Sequence, residues 1–144
     1  MNSPADLVYQ LLVDLQLGSA GVGSEDWPVF VSFLPDVPDE SICVYDTAGR
    51  LDGRLMLTGE QVEHPGIQIR VRGKDYSDTH KKAQAIAVEL DSQKRKLVEL
   101  ESGEFFTLIN FSRTGSILSL GMEQEGDRRR FHFTINAVLT YSLS

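Results

Sequence analysis

Three kinds of side chain in this sequence could do chemistry, and their spacing limits what each can do. His64, His80 and His132 are too far apart for a local metal pair, which needs two ligands about three to five residues from each other. Cys43 stands alone, which rules out an intrachain disulfide or a cysteine-built zinc site. It sits in a short apolar stretch with no activating neighbour, so it is either a buried inert thiol or a nucleophile whose partner comes from elsewhere in the fold. Glu99-Leu100-Glu101 alternates two carboxylates, as a nuclease metal site does, but the expected lysine is missing and Ser102-Gly103 ends the strand. There is no Gly-x-x-x-x-Gly-Lys loop and no Gly-x-Gly-x-x-Gly turn to cradle a phosphate. The residues therefore predict no catalytic group, no metal and no cofactor.

The arginines carry more information. Arg70 and Arg72 alternate with Ile69 and Val71 in Gly66-Ile67-Gln68-Ile69-Arg70-Val71-Arg72-Gly73, so both lie on the polar face of a half-buried strand. They either brace acids on their own sheet or meet carboxylates across a subunit interface, where the planar fork of arginine suits bidentate pairing. Arg128-Arg129-Arg130 flanks a turn, as a solvated hairpin shoulder or a small nucleic-acid patch. Arg50, Arg54, Arg70, Arg72, Arg128 and Arg129 form the candidate interface set.

The elements that position these residues follow from pattern. After Gly73, Asp75 can cap a helix on which Thr79, Ala83, Ile86, Ala87 and Leu90 form one narrow stripe. An earlier helix starts at Ser3-Pro4-Ala5-Asp6, turns Leu7, Val8, Leu11, Leu12 and Leu15 to one side, and ends at Gly18. Residues 19–26 are a flexible connection or an ordered loop. Trp27 to Leu34 and Ser41 to Tyr45 read as strands, separated by Pro35 and Pro38, and Pro28 confines the first to an edge or to its opening position. Thr47 to Glu63 is either strand or self-packed loop. Arg95 to Leu100, Phe105 to Phe111, Ile117 to Met122 and Arg130 to Tyr141 are further strands, the last three a meander with turns at Ser112-Arg113-Thr114-Gly115 and Glu125-Gly126-Asp127. The last run places Phe131, Phe133, Ile135, Ala137, Leu139 and Tyr141 in one apolar row. The predicted fold is α/β of the α+β type, a mixed, mostly antiparallel sheet with two main helices packed on one face, in a single domain over residues 1–144.

Composition agrees with a soluble globular chain: 144 residues, 41% hydrophobic and 24% charged, with no apolar run near the roughly 20 residues that span a bilayer. No basic, apolar-cored signal peptide opens it, so a reducing cytoplasm is expected and no membrane partner. The net charge is −7, and it is unevenly spread: 8 of the 21 acids precede Arg50, whereas all 14 bases lie at or after it. That balance argues against non-specific wrapping of nucleic acid.

Two stretches together resemble the tail terminator proteins of long-tailed phages, also described as phage minor capsid or tail completion proteins. One is His64-Pro65-Gly66-Ile67-Gln68-Ile69-Arg70-Val71-Arg72-Gly73-Lys74-Asp75-Tyr76 with the alanine-rich helix behind it, similar to a family strand of form Pro-Gly-x-x-x-x-Val-Arg. The other runs from Leu118 to Phe131 and on to Thr134-Ile135-Asn136, similar to a late Leu-Gly-x-Asp-x-x-Gly-Arg hairpin, departing from it at Glu123 and at the additional Asp127. The resemblance implies a structural virion protein of the head–tail junction, assembled in the bacterial cytoplasm. It further implies a homohexameric ring that caps the tail tube, stops its polymerisation and joins it to the head connector, with genome DNA passing through the lumen without specific binding. The implied partners are other copies of the chain, tail tube protein and a head-completion protein, and no catalytic residue comes with them. A stopper-type completion protein, or a small phage enzyme processing nucleic acid, are the other readings.

Overall fold

The computed structural model describes residues 3–20, 27–36, 38–54, 61–93, 95–100 and 102–143. Helix α1 (Pro4–Asp14) begins with a full capping box: Asp6 N–H donates to Ser3 Oγ, and the Ser3 N–H to the Asp6 carboxylate. It buries Ala5, Leu7, Val8, Leu11 and Leu12. The helix ends before Gly18, because Gln16 itself takes the left-handed conformation, at φ +59°. Gly18 serves packing instead. A Cβ there would lie 2.4 Å from Val29 Cγ2, so only glycine lets the chain pass the sheet this closely.

The sheet contains β1 (Ser19–Ala20), β2 (Pro28–Val31), β3 (Ser41–Arg54), β4 (Gln61–Gly73), β5 (Lys96–Glu99), β6 (Phe105–Arg113), β7 (Leu118–Glu125) and β8 (Arg128–Leu143). Its order is β1-β2-β3-β4-β8-β6-β5, with β7 also on β8. The β1–β2 and β2–β3 pairs are parallel and all others antiparallel, as expected of a mixed, mostly antiparallel sheet. Helix α2 (Tyr76–Asp91) is capped by Asp75, which accepts from the Asp78 N–H, and it buries Thr79, Ala83, Ile86, Ala87 and Leu90, the stripe read from the sequence. Both helices cover the face that carries Ile42, Val44, Ile67, Ile69, Val71, Phe133, Ile135, Ala137 and Leu139, forming one core. Each large side chain buried here contributes about 1.5–3 kcal/mol relative to exposure.

One reading left open is decided, and one expectation needs correction. The chain around Thr47 to Glu63 is paired over most of its length: β3 runs to Arg54 and β4 starts at Gln61, so the strands make a long hairpin. Residues 55–60 of that stretch, like 21–26, lie outside the described residues. A bulge between Thr47 and Arg50 brings Gly49, at φ +66°, against Gly66; a Cβ on Gly49 would sit 2.2 Å from the His64 carbonyl oxygen. Nor is the C-terminal part a three-strand meander. β7 and β8 do form a hairpin at Gly126-Asp127, but β6 pairs with residues 137–143 of β8 and β7 with 128–134. The segment Thr114–Ile117 is thus an outward kink between two strands that follow one edge of β8 in succession, and Thr114 N–H donates to the Asn136 carbonyl inside that kink.

Candidate functional site

The face of the sheet away from the helices is polar, and strand register orders it into rows. Ser41, Arg72 and His132 form one row across β3, β4 and β8. Cys43, Arg70 and Thr134 form the next, extended by Leu118 on β7, and Tyr45, Gln68 and Asn136 form a third. Alternation of β4 therefore puts both arginines where the sequence placed them. Their surroundings are very different.

Arg72 is buried, at 3% exposure. Its Nε donates to the Asp39 carbonyl at 3.1 Å and its Nη2 to the carbonyls of Pro35 and Pro38, each at 2.6 Å. Those carbonyls belong to the loop between β2 and β3. Proline has no N–H, which leaves fewer local donors for these carbonyls. Ser41 Oγ donates to Pro38 O and fastens the same loop. Burial, and then the like charge of Arg130, pull the pKa of Arg72 below its ordinary value.

The loop meets the C-terminal hairpin as well. Arg128 donates from Nε to Asp39 Oδ1 and from Nη1 to Asp36 Oδ2, both at 2.8 Å. Arg130, 6% exposed, donates from Nη1 to Asp36 O and Oδ1 and is ion-paired through Nη2 to Glu123, its cross-strand partner. Hydrogen bonding to Asp39 and Asp36 raises the pKa of Arg128, while the Arg128 hydrogen bond holds Asp36 below the usual carboxylate range. Part of the acid–base complementarity seen in the sequence is thus satisfied within one chain. Only the proline break at Leu34 to Pro38, with acids beside it, signalled this clamp in the sequence; the pairing itself spans some ninety positions and leaves no local pattern.

His132 joins the cluster through Nε2, 3.2 Å from Glu123 Oε2. Its pKa falls to about 4, because burial and the charges of Arg70, Arg72 and Arg130 disfavour a further cation. Glu123 acts in the opposite sense, but its carboxylate is 45% exposed and already paired with Arg130, so the neutral ring prevails. A neutral ring that donates from Nε2 leaves Nδ1 a bare acceptor, and Nδ1 is buried with no partner among the described residues. Thr134 Oγ1 and Arg70 Nε are likewise buried and unpartnered. Arg70 lies over the Tyr45 ring at 5.6 Å and makes no hydrogen bond or ion pair to any described residue. Burial, then the neighbouring Cys43, pushes Tyr45 up to about 12, and burial raises Cys43 too, so both stay protonated and the thiol is unreactive.

The remaining candidates disperse. Arg129 is exposed, beside a shallow cleft with Asp39, Lys74, Asp127 and Arg128. Arg50 and Arg54 lie on the β3–β4 hairpin, opposite His64 and Gln61, and their side chains are outside the described residues. His64 is in strand β4, with Nδ1 3.0 Å from Thr140 Oγ1, and His80 leans on Phe133 at 5.4 Å between centroids. Glu99 is exposed on β5, and Glu101 falls outside the described residues. Among the described residues no three His, Cys, Asp or Glu side chains are grouped to hold a metal, and no helix is long and apolar enough to cross a membrane.

The model of the bacteriophage tail terminator proteins matches residues 8–142. The chain belongs to the bacteriophage tail terminator family. As a terminator-family protein it is a structural component of a phage tail, and the arginine face lies wholly within the matched region. No curated protein matches this terminator-family chain.

Proposed function

We propose that the protein acts as a homohexameric ring that caps the polymerised tail tube, ends its growth and joins it to the head-completion connector. The observation that carries this reading is the family match over residues 8–142. Physical argument supports the closed form: copies meeting through two different surfaces either close into a ring or grow without limit, and a protein that stops polymerisation must close. A net charge of −7 suits a lumen through which genome DNA slides, because tight phosphate binding draws on many uncompensated cations. Here Arg72, Arg128 and Arg130 are already committed to acceptors of their own chain.

Negative-stain microscopy of the purified protein, alone and mixed with tail tube protein, tests the proposal. Six-fold rings seated at one end of tubes of limited length are the expected result. Tubes that lengthen unchecked in the presence of the protein, with no rings at their tips, would refute it. Binding to head-completion protein but never to tube would favour a stopper instead.

A further inference from the structure

Strands β3 and β4 stay paired beyond the rest of the sheet. The β4–β8 ladder ends at Gly66 and Val138, next to Pro65, which has no N–H to donate, whereas β3 and β4 continue to Arg54 opposite Gln61. Past His64, whose Nδ1 still meets Thr140, the described residues at this end of the sheet form a two-stranded hairpin. Such a hairpin is marginal in water on its own. Residues 55–60 join its strands and read Leu55-Met56-Leu57-Thr58-Gly59-Glu60, so an apolar triplet belongs to the connection.

The complementary feature is β7. It pairs with β8 alone, and its outer edge is unpaired among the described residues. The strands that end the sheet, β1 and β5, have two and four residues, whereas β7 has eight. Leu118–Met122 holds neither Pro nor a charge, the usual guards of an edge, and only the bulge between Ser119 and Gly121 remains. Leu118 lies level with Thr134 on the polar face and Met122 level with Phe131 on the helix face, with Leu120 between them at the bulge. Leu118, Leu120 and Met122 are 54%, 48% and 48% exposed, and Tyr76, 53% exposed, extends the patch by leaning on Phe131. An edge that is apolar on both faces matches a segment apolar at consecutive positions, as Leu55-Met56-Leu57 is.

We propose that the edge of β7 receives the connection of the β3–β4 hairpin from a second copy of the chain, with Leu55-Met56-Leu57 running antiparallel to Leu118–Met122. Geometry excludes the chain's own hairpin. From Gly66 the hairpin runs away from β7, which reaches no further along β8 than Thr134, so Gln61 and the near end of β7 are about nine residues, or roughly 30 Å, apart along the sheet. A connection of six residues whose ends meet at the Arg54–Gln61 pair extends only about 10 Å. Charge selects the direction. Glu123 and Glu125 follow Met122, and Arg54 precedes Leu55, so an antiparallel segment brings Arg54 to the acidic end, where a parallel one brings Glu60. Glu123 stays 45% exposed while paired with Arg130. Hairpin tip and edge are different surfaces at opposite ends of the sheet, so the contact is heterologous. This deepens the ring reading by naming both sides of the contact between neighbours, and it can fail while that reading stands.

Thiol cross-linking tests it, because Cys43 is buried and does not interfere. Met56→Cys and Leu120→Cys chains, prepared separately, are mixed while dilute, concentrated until sedimentation velocity shows assembly, and treated with a short bis-maleimide. Covalent dimers in the mixture, absent from either variant alone, are the expected result. Rings that cap tubes normally but give no mixed dimer would overturn the inference and keep the ring. Dimers formed by Leu120→Cys alone would also overturn it, because they show β7 meeting β7. Mixed dimers from assemblies that never close keep the inference and sink the ring, and wild type that stays monomeric with and without tube protein removes both. Leu120→Lys gives an independent readout. It should weaken self-association roughly tenfold or more and leave the monomer's melting temperature within about 2 °C, since the side chain is already half exposed. Association as tight as wild type in Leu120→Lys would refute the pairing.

Discussion

Arg72→Ala tests whether the buried guanidinium holds the β2–β3 loop onto the sheet. Three hydrogen bonds leave the side chain, at 2.6, 2.6 and 3.1 Å, and bonds from a charged donor contribute about 1.5–3 kcal/mol each. Against that gross gain stand the desolvation of a cation at 3% exposure and the repulsion from Arg130, together several kcal/mol. Truncation abolishes both, but it also strips three carbonyls of their donor. Pro38 is exposed and can rehydrate, so the expected net loss is about 3 kcal/mol, near the lower end for breaking a buried charged contact. For a domain of this size that corresponds to a fall in melting temperature of roughly 6–12 °C. Arg72→Lys should be nearly as damaging, because one ammonium cannot span three carbonyls set around a planar fork. Urea unfolding followed by circular dichroism and by Trp27 fluorescence gives the free energy and shows whether the transition stays two-state. A loss below about 0.5 kcal/mol for both variants would mean that the clamp is ornamental, and the reasoning from burial and bond count would be wrong.

Two further outcomes follow from the same structure. His132 is held neutral, with a folded pKa near 4 against an ordinary 6.5, so the unfolded chain binds the extra proton first: stability is full above pH 6.5 and declines as pH falls toward 4, by at most about 3 kcal/mol. His132→Gln should flatten that part of the pH profile, and an identical slope in the variant would assign it to other groups. Ile69→Ala and Ile86→Ala, both fully buried against one another's elements, should each cost about 2–5 kcal/mol in denaturant unfolding, and losses under about 0.5 kcal/mol would contradict the core described here.

What the sequence disclosed was the part set by local periodicity. The α2 stripe, the Asp75 cap and the alternation of β8 are each fixed by side chains within a few turns or pleats of one another, and each is found where expected. Glycine was the chief source of error, because its freedom serves several ends. Gly18 reads as a helix stop but permits close packing, and Gly49, which left strand and loop both open, lies at a bulge within paired strands. Ser112-Arg113-Thr114-Gly115 has turn chemistry, yet turn chemistry fixes a bend and not the direction taken after it. The 16 residues of β8 leave room for the chain to kink outward and resume on the same edge. At the site, alternation placed Arg70 and Arg72 on one face, but nothing local distinguished the arginine enclosed by carbonyls from the one without an acceptor among the described residues. That depends on where the loop after Phe33 comes to lie, a question settled by contacts some ninety residues away.

The sheet is covered by different materials on its two sides, and salt acts on them in opposite senses. Helices seal one side by apolar burial, which excluded salts such as sulfate reinforce. On the other side the loop is held partly by the Asp36 carboxylate, 66% exposed, against Arg128, a contact that dissolved ions screen. Concentrated sulfate should therefore slow hydrogen exchange at the amides of Ile86 and Leu90 while quickening it around Asp36. The molecule would tighten and loosen at once, through one sheet only a few ångströms thick.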